Sequence, residues 1–482
     1  MKSKIKKALS LFLALLTALS VCSCAIHINK PDKNETESNT DTNQSAVQTA
    51  DDDWAYVEND FSKEVKNHLN SIGDADYAGT SFMIASFAPE LTDPDKCGTV
   101  MSPAVYDRNK LVEDRFNIEI YTKEADPDTI YTELYNASLA DDFYADLIVV
   151  PQYYIAQFAA GGTLINLLSL PFTDYTAGYN ISSGVEAGMA SSDGYALAGW
   201  ATLQPDKLPC VFFSRTLLDK AGLEYPYALV KSGEWTWDKF FEYSEAASAL
   251  DVESYGCQNT SQNMGDIVYI SCGNKFINAG EGNAATVAVE AESTNIFADI
   301  AYKLFNDPYK SKNSIEAIST FANGGSLFLI ENLGEIKNIS NSENVWGVLP
   351  MPKASAGQSS YKSLAASNSA FFAVPTGCSS AEKTSRIMAA LNAASLGFIA
   401  DAYVTDSMYY YLRDNESVNM VEKICYSAYY DMAYSVGTDD LTIANSTYFA
   451  VRNVYENNHD INFYIDSFAY RANTALSRIF PY

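Results

Sequence analysis

The chain predicts an α/β protein of more than one domain, and three observations predict it. Its 482 residues are too many for one ordinary domain, and 47% of them are hydrophobic, enough for sizeable cores. Residues 82–150 read strand, helix, strand, helix, strand, the pattern of a doubly wound sheet. Residues 208–243 then join a buried-strand run, Cys210-Val211-Phe212-Phe213, to a helical turn stopped at Gly222, a proline loop, and a helix opened by Thr236.

The N-terminus comes first. Lys2, Lys4, Lys6 and Lys7 precede an almost wholly apolar run over 8–21. At about 14 residues the run suits a signal-peptide core and is short for a membrane span. It ends in Val21-Cys22-Ser23-Cys24, which resembles the bacterial lipobox: a small residue, Ser23, precedes the acceptor Cys24. Cys22, two positions before the acceptor, departs mildly from the usual pattern. Ordinary secretion of a soluble product is the alternative. Residues 24–53 are polar and cannot bury enough to fold. They read as a tether holding the body roughly 30 Å from a bilayer.

The body follows in order. A surface helix is expected over 60–72 and a first strand over 82–87, broken by Pro89. Leu111, Val112 and Phe116 give 105–116 a helical face, and 118–121 reads as a second strand. A helix over 129–139 precedes Asp146-Leu147-Ile148-Val149-Val150, an unbroken run of the kind that marks a parallel strand covered on both faces. Pro151 ends it, and a helix follows as far as Gly161-Gly162. Ligands of such sheets bind beyond the carboxyl ends of the strands, which makes 87–90 and 152–154 the loops of interest. Helices are also expected over 314–321, 384–400 and 467–479, and strands over 323–332, 345–350 and 371–375.

Four pieces in this order resemble the extracellular solute-binding proteins of ABC importers, family 1. They are the 208–215 strand, Trp235-Thr236-Trp237-Asp238-Lys239-Phe240, Asn323-Gly324-Gly325-Ser326-Leu327-Phe328, and Val345-Trp346-Gly347-Val348-Leu349-Pro350-Met351-Pro352. Tyr195-Ala196-Leu197-Ala198-Gly199-Trp200 resembles the family's hairpin, with Ala198-Gly199 where a proline is usual. The resemblance spans roughly 80–482. It implies an α/β, two-lobed, periplasmic-binding-protein-like fold of type II, with lobes joined by crossing segments. The expected division is 54–206 plus 326–374 in the first lobe and 207–325 plus 375–482 in the second. The expected crossings are 208–215, 324–330 and 372–376. The Trp235 and Trp237 pair reads as scaffold.

Composition narrows the function. A formal net charge of −28 argues against nucleic acid and anionic bilayers as partners. Only His27, His68 and His459 are present, little for histidine catalysis or a histidine metal site. No cofactor motif is found: GxSxG, HExxH, Walker A and GxGxxG are missing, and Gly280-Glu281-Gly282 lacks the third glycine. The acids at 51–53 and 93–95 lack a spaced calcium-loop pattern. Eight cysteines with no CxxC leave buried thiols or disulfides, Cys257 and Cys272 being the nearest pair beyond the N-terminus.

The positive signal is 33 Tyr, 24 Phe and 5 Trp. Flat rings stack on the C–H faces of sugars, and a few convergent polar groups complete a small-ligand pocket. Candidates on interlobe loops are Phe87, Glu90, Gln152, Tyr153, Trp200, Gln204, Glu331, Asn332 and Tyr410 within 409–411. The resemblance implies capture of a carbohydrate, hinge closure and docking on an ABC permease, with no enzymatic step. Two rivals stay open: an exported glycan hydrolase, which needs two convergent carboxylates, and a surface lipoprotein without a closable cleft.

Overall fold

The computed structural model describes residues 62–190, 193–250, 255–259, 264–278, 285–306, 312–313, 316–408, 410–412, 414–436 and 461–479. The leader, the tether, Cys24, Tyr409 and Arg413 lie outside them.

The first lobe is built as the alternation predicts. Helix α1 (Ser62–Ile72) buries Val65, Leu69 and Ile72, its i, i+4, i+7 stripe. Strand β1 (Thr80–Ser86) is followed by α2 (Gly98–Phe116), β2 (Ile118–Glu124), α3 (Ile130–Ala140), β3 (Leu147–Pro151) and α4 (Ile155–Ala160). β1 pairs in parallel with β2, Thr80 opposite Ile118, and with β3, Ile84 opposite Leu147. Every residue of β3 is buried, as its unbroken apolar run requires. Helix α2 begins earlier than its apolar spacing indicates and ends at Asn117 in the left-handed conformation. β4 (Ala196–Leu197) lies at the other edge of this sheet.

The chain then enters a second sheet. β5 (Pro209–Ser214) is buried throughout. Ser214 Oγ accepts from Leu217 N at 3.2 Å and caps α5 (Arg215–Ala221), which stops at Gly222 with φ of 66°. Thr236 caps α6 (Trp237–Ser248), which buries Trp237, Phe240 and Phe241. Burying rings of this size is worth about 1.5–3 kcal/mol each. Trp235 Nε1 donates to Pro350 O at 2.9 Å and Trp237 Nε1 to Ser271 Oγ at 3.1 Å, so both indoles are scaffold.

β6 (Tyr255–Asn259), α7 (Met264–Ser271), α8 (Ala291–Asn306), β7 (Lys312–Asn313), α9 (Ala317–Ala322), β8 (Ser326–Asn332), α10 (Ile336–Ile339) and β9 (Trp346–Leu349) follow. The sheet order is β7-β6-β8-β5-β9. β10 (Ala370–Ala373) completes the first sheet, β2-β1-β3-β10-β4, antiparallel to β3. α11 (Ala381–Asp401), α12 (Asn415–Tyr426) and α13 (Ile461–Ile479) close the described chain.

Strand pairing corrects the division of the lobes. The sequence pattern puts 326–349 in the first lobe. In the structure β8 and β9 flank β5 in the second sheet, with Phe328 opposite Phe213 and Val348 opposite Phe212. The glycine turn at Gly324, φ 75°, reverses the chain within that lobe instead of carrying it across. The stretch 372–376 is likewise no crossing: Phe372 and Ala373 lie inside β10. α11 packs on α1 and α2 of the first lobe, so 381–401 belongs there too, whereas α12 packs on β9. The lobes are therefore joined near 204–208, 350–369 and 402–414.

α11 with its continuation to Val404 is long and apolar enough to cross a membrane, but 83% of its most apolar window is buried in the fold. Cys97, Cys210, Cys272, Cys378 and Cys425 are free thiols, so the nearest cysteine pair in sequence is not bridged.

Candidate ligand-binding cleft

A cavity of about 520 Å³ opens where the lobes meet. Its walls come from the loop after β1, the start of α2, the first linker, α10, and the end of α11 with the linker beyond it. Glu90 sits on a single turn, Pro89–Leu91, launched by the end of β1. Gln204 opens the first linker and donates from Nε2 to Glu90 Oε1 at 3.2 Å. Its Oε1 accepts from Lys207 Nζ at 3.1 Å and from Ala370 N at 3.2 Å. Lys207 also donates to Asn368 O at 3.2 Å and stands 5.8 Å from the Phe87 ring centroid. Burial lowers the Lys207 ammonium, and Glu90 opposes that shift.

Asp206 ties the first linker to the second lobe and to the third linker. It accepts from Lys337 Nζ at 2.6 Å and from Tyr403 OH at 2.6 Å. Burial first, then Asp206, pushes the Tyr403 phenol up, so it remains a donor at neutral pH. Gly334 is needed here: a Cβ would lie 2.9 Å from Asp206 O. Behind the cavity Arg108 is buried, donating to Leu91 O at 2.8 Å, Asn109 Oδ1 at 2.7 Å and Ser395 Oγ at 3.4 Å. Desolvation lowers it to about 10, still charged at neutral pH. Cys97, Met101, Val105, Ile399 and Met408 supply the apolar lining. The site offers donors and acceptors on an apolar wall. Its two carboxylates, Glu90 and Asp206, are both engaged in side-chain hydrogen bonds.

Of the sequence candidates, Glu90 and Gln204 line this cavity, and Phe87 adjoins it through Lys207. Tyr411, from the 409–411 cluster, lines it as well, while Tyr410 is 79% exposed. Trp200 is buried against Tyr426, ring centroids 5.1 Å apart. Glu331 is buried in β8, its Oε1 accepting from Asn332 N at 2.9 Å, and burial raises its carboxyl. Asn332 is exposed at the strand end.

Gln152 does something else. It is fully buried, and its Nε2 donates to Asp431 O at 2.7 Å and Ser435 Oγ at 3.0 Å. The turn 431–435 reaches the second lobe: Asp431 Oδ2 accepts from Phe276 N at 2.9 Å, and Tyr434 OH donates to Asp266 Oδ2 at 3.2 Å. Burial raises Asp431 to about 6, against the backbone N–H groups of Ala433 and Phe276 that favour its charge. Burial raises the Asp266 carboxyl well above its ordinary value, and the hydrogen bond from Tyr434 opposes that shift. Tyr153 follows Gln152 and is half-buried against Tyr154.

Arg108, Asp206, Lys207 and Lys337 carry no aromatic signal, and Tyr403 lies outside the loops singled out in the sequence. The one available signal was Asp206-Lys207 directly before the crossing strand. Among the described residues no cluster of three or more His, Cys, Asp or Glu could hold a metal. His68 pairs with Glu64 at 3.6 Å and lies edge-on to Tyr179.

The sequence profile described as "Bacterial extracellular solute-binding protein" matches residues 109–393. Among curated proteins none matches the chain in sequence. Similar solved structures include the cyclic alpha-maltosyl-1,6-maltose binding protein from Arthrobacter globiformis, at 12% identity and TM-score 0.57, covering 83% of this chain and 100% of the other. The sugar-binding protein MalE from Xanthomonas citri has 12% identity and TM-score 0.56, covering 83% and 98%. UgpB from Mycobacterium tuberculosis, in complex with glycerophosphocholine, has 15% identity and TM-score 0.52, covering 83% and 98%. At these identities the likeness establishes the two-lobed α/β fold.

Proposed function

The chain belongs to the family of bacterial extracellular solute-binding proteins, and from that premise we propose that it captures an oligosaccharide outside the cell and hands it to an ABC permease. The observation that carries this reading is the 520 Å³ cavity between the lobes, lined by Glu90, Gln204, Lys207 and Lys337 over an apolar floor. Its volume lies in the range of small-ligand sites, and paired donors and acceptors suit sugar hydroxyls. The sugar ligands of two structural neighbours support the same class. The lobes would close on the ligand by hinge motion about the three linkers.

The protein acts as a binder, not an enzyme. Glu90 pairs with Gln204, and Asp206 with Lys337 and Tyr403, an arrangement suited to holding hydroxyls. Lipid on Cys24 and the polar stretch 24–53 would keep the body at the outer face of the membrane.

A thermal-shift screen of the purified protein tests the reading, using mono- and oligosaccharides, glycerophosphodiesters, amino acids and polyamines, with product analysis of every hit. Ligand binding to the native state alone raises the midpoint by mass action. An oligosaccharide hit without turnover is expected. Turnover would sink the binding-protein reading. A response only to a glycerophosphodiester, an amino acid or a polyamine would sink the sugar assignment.

A further inference from the structure

Outside the cavity, one side of the first lobe carries a run of tyrosines, of which Tyr131 and Tyr154 pack in part against the core. In α3, Ile130 and Leu134 point into the core, and Tyr131, Tyr135 and Leu139 recur at i, i+4, i+8 on another face. Tyr135 is 37% exposed and Leu139 71%. Tyr131 lies between Tyr135 and Tyr154, with centroids 6.0 and 6.5 Å away and both planes tilted by only 23°. Tyr153 meets Tyr154 edge-on at 4.6 Å. Phe158 backs the row at 5.3 Å from Tyr131, and a Cβ at Gly161 would lie 3.1 Å from the Tyr131 hydroxyl.

We propose that Tyr153, Tyr154, Tyr131 and Tyr135 form a tiled aromatic track that carries the outer sugars of a glycan chain from the meeting of the lobes along the outside of the first lobe. The proposal rests on the oligosaccharide reading and extends it to long chains. Near-parallel rings at these separations are not stacked face to face. With planes at contact distance, they are slid by about 5 Å, which leaves part of each face uncovered. That slide is of the order of one sugar residue along a glycan.

Chemistry and position favour the same occupant. None of the four hydroxyls donates to a protein acceptor among the described residues. Burial first, with neighbouring Asp126 and Asp128 contributing, raises the Tyr153 and Tyr154 phenols, so they stay protonated donors. Carboxylates beside the rings can accept from sugar hydroxyls and would repel an anionic membrane. The row also starts next to Gln152, which joins the lobes, so it is continuous with their meeting line.

The test is calorimetric titration of the purified protein with α-1,4- and β-1,4-linked gluco-oligosaccharides from disaccharide to heptasaccharide. Affinity should climb with length in the wild type. Tyr135→Ala, an exposed substitution that should leave the melting midpoint in place, should lose about tenfold on the heptasaccharide and nothing on the disaccharide. Tyr131→Phe, which keeps the ring packing and removes one hydroxyl, should lose less. The same length dependence in wild type and Tyr135→Ala would overturn the track while leaving sugar capture intact. No binding of any member by the wild type would overturn the track, and together with a thermal-shift panel blank for every sugar it would overturn sugar capture as well. A dimer in sedimentation that Tyr135→Ala dissociates, with no effect on titration, would assign the face to a second copy and overturn the track.

Discussion

Two clusters of polar side chains join the lobes, and they differ in what surrounds them. Around Asp206 the groups border open volume: Glu90, Gln204 and Lys207 hold one another in a chain, and Lys337 reaches across to the linker. Around Asp431 the groups are sealed: Gln152, Asp266, Asp431 and Ser435 are all buried. Hydrogen bonds of the first cluster can be exchanged for ligand or water at small cost. Bonds of the second cannot be exchanged without orphaning buried partners. The difference separates the proposed recognition surface from a structural joint, although both contain carboxylates and both lie where the lobes meet.

The sharpest way to break this comparison is to remove the acceptor in the sealed cluster. Asp431→Ala strips the partners of two backbone N–H groups, Phe276 and Ala433. Two orphaned buried donors should cost about 2–5 kcal/mol in urea unfolding. A loss near zero would mean the joint is not packed as described.

The next effect is on pH dependence. The Asp431 carboxyl is raised in the folded state from 3.8 to about 6. A raised carboxyl binds its proton more tightly when folded. Its contribution is therefore fully present below the unfolded value and is lost as pH rises through about 6. Relative to Asp431→Asn, the wild type should gain up to about 3 kcal/mol on going from pH 7 to pH 4. Parallel stability–pH curves for the two proteins would contradict the burial of this carboxyl.

Substitutions in the open cluster should show the reverse balance. Lys207→Met keeps the buried stem and removes the charge, so stability should shift by less than about 1 kcal/mol while ligand affinity falls about tenfold or more. The smallest effect belongs to Lys337→Ala. The Lys337–Asp206 pair is half exposed and contributes about 0–1 kcal/mol, so affinity should change a few-fold at low salt and hardly at high salt.

The same contrast explains what the sequence discloses. Buried strands announce themselves by composition: Leu147-Ile148-Val149-Val150 and Cys210-Val211-Phe212-Phe213 lie where their apolar runs indicate, and the caps Thr236 and Gly222 act as their residue types require. Pairing partners are not encoded locally. Nothing within 326–332 says that its neighbour is β5 and not a strand of the first sheet, so the lobe boundary was misplaced. In the site, loop position indicated Glu90 and Gln204, which line the cavity. Aromatic character alone does not separate a ligand-facing ring from a packed one: Trp200 is buried against Tyr426. Gln152 suggests a ligand contact by position, but its Nε2 donates to the 431–435 turn, a partner nearly 280 residues away. Lys207 and Asp206 carried no pattern beyond being charged before a strand.

One measurement tests the central claim most directly: calorimetric titration of the wild type, Glu90→Ala, Lys207→Met and Asp266→Asn with the oligosaccharide giving the largest thermal shift. Asparagine matches Asp266 in size and keeps an oxygen to accept from the Tyr434 hydroxyl. If the open cluster is the recognition surface, Glu90→Ala and Lys207→Met each lose about tenfold or more, and Asp266→Asn binds as the wild type does. Unchanged affinity in the first two variants, with loss in Asp266→Asn, would place the ligand at the sealed joint and contradict the account.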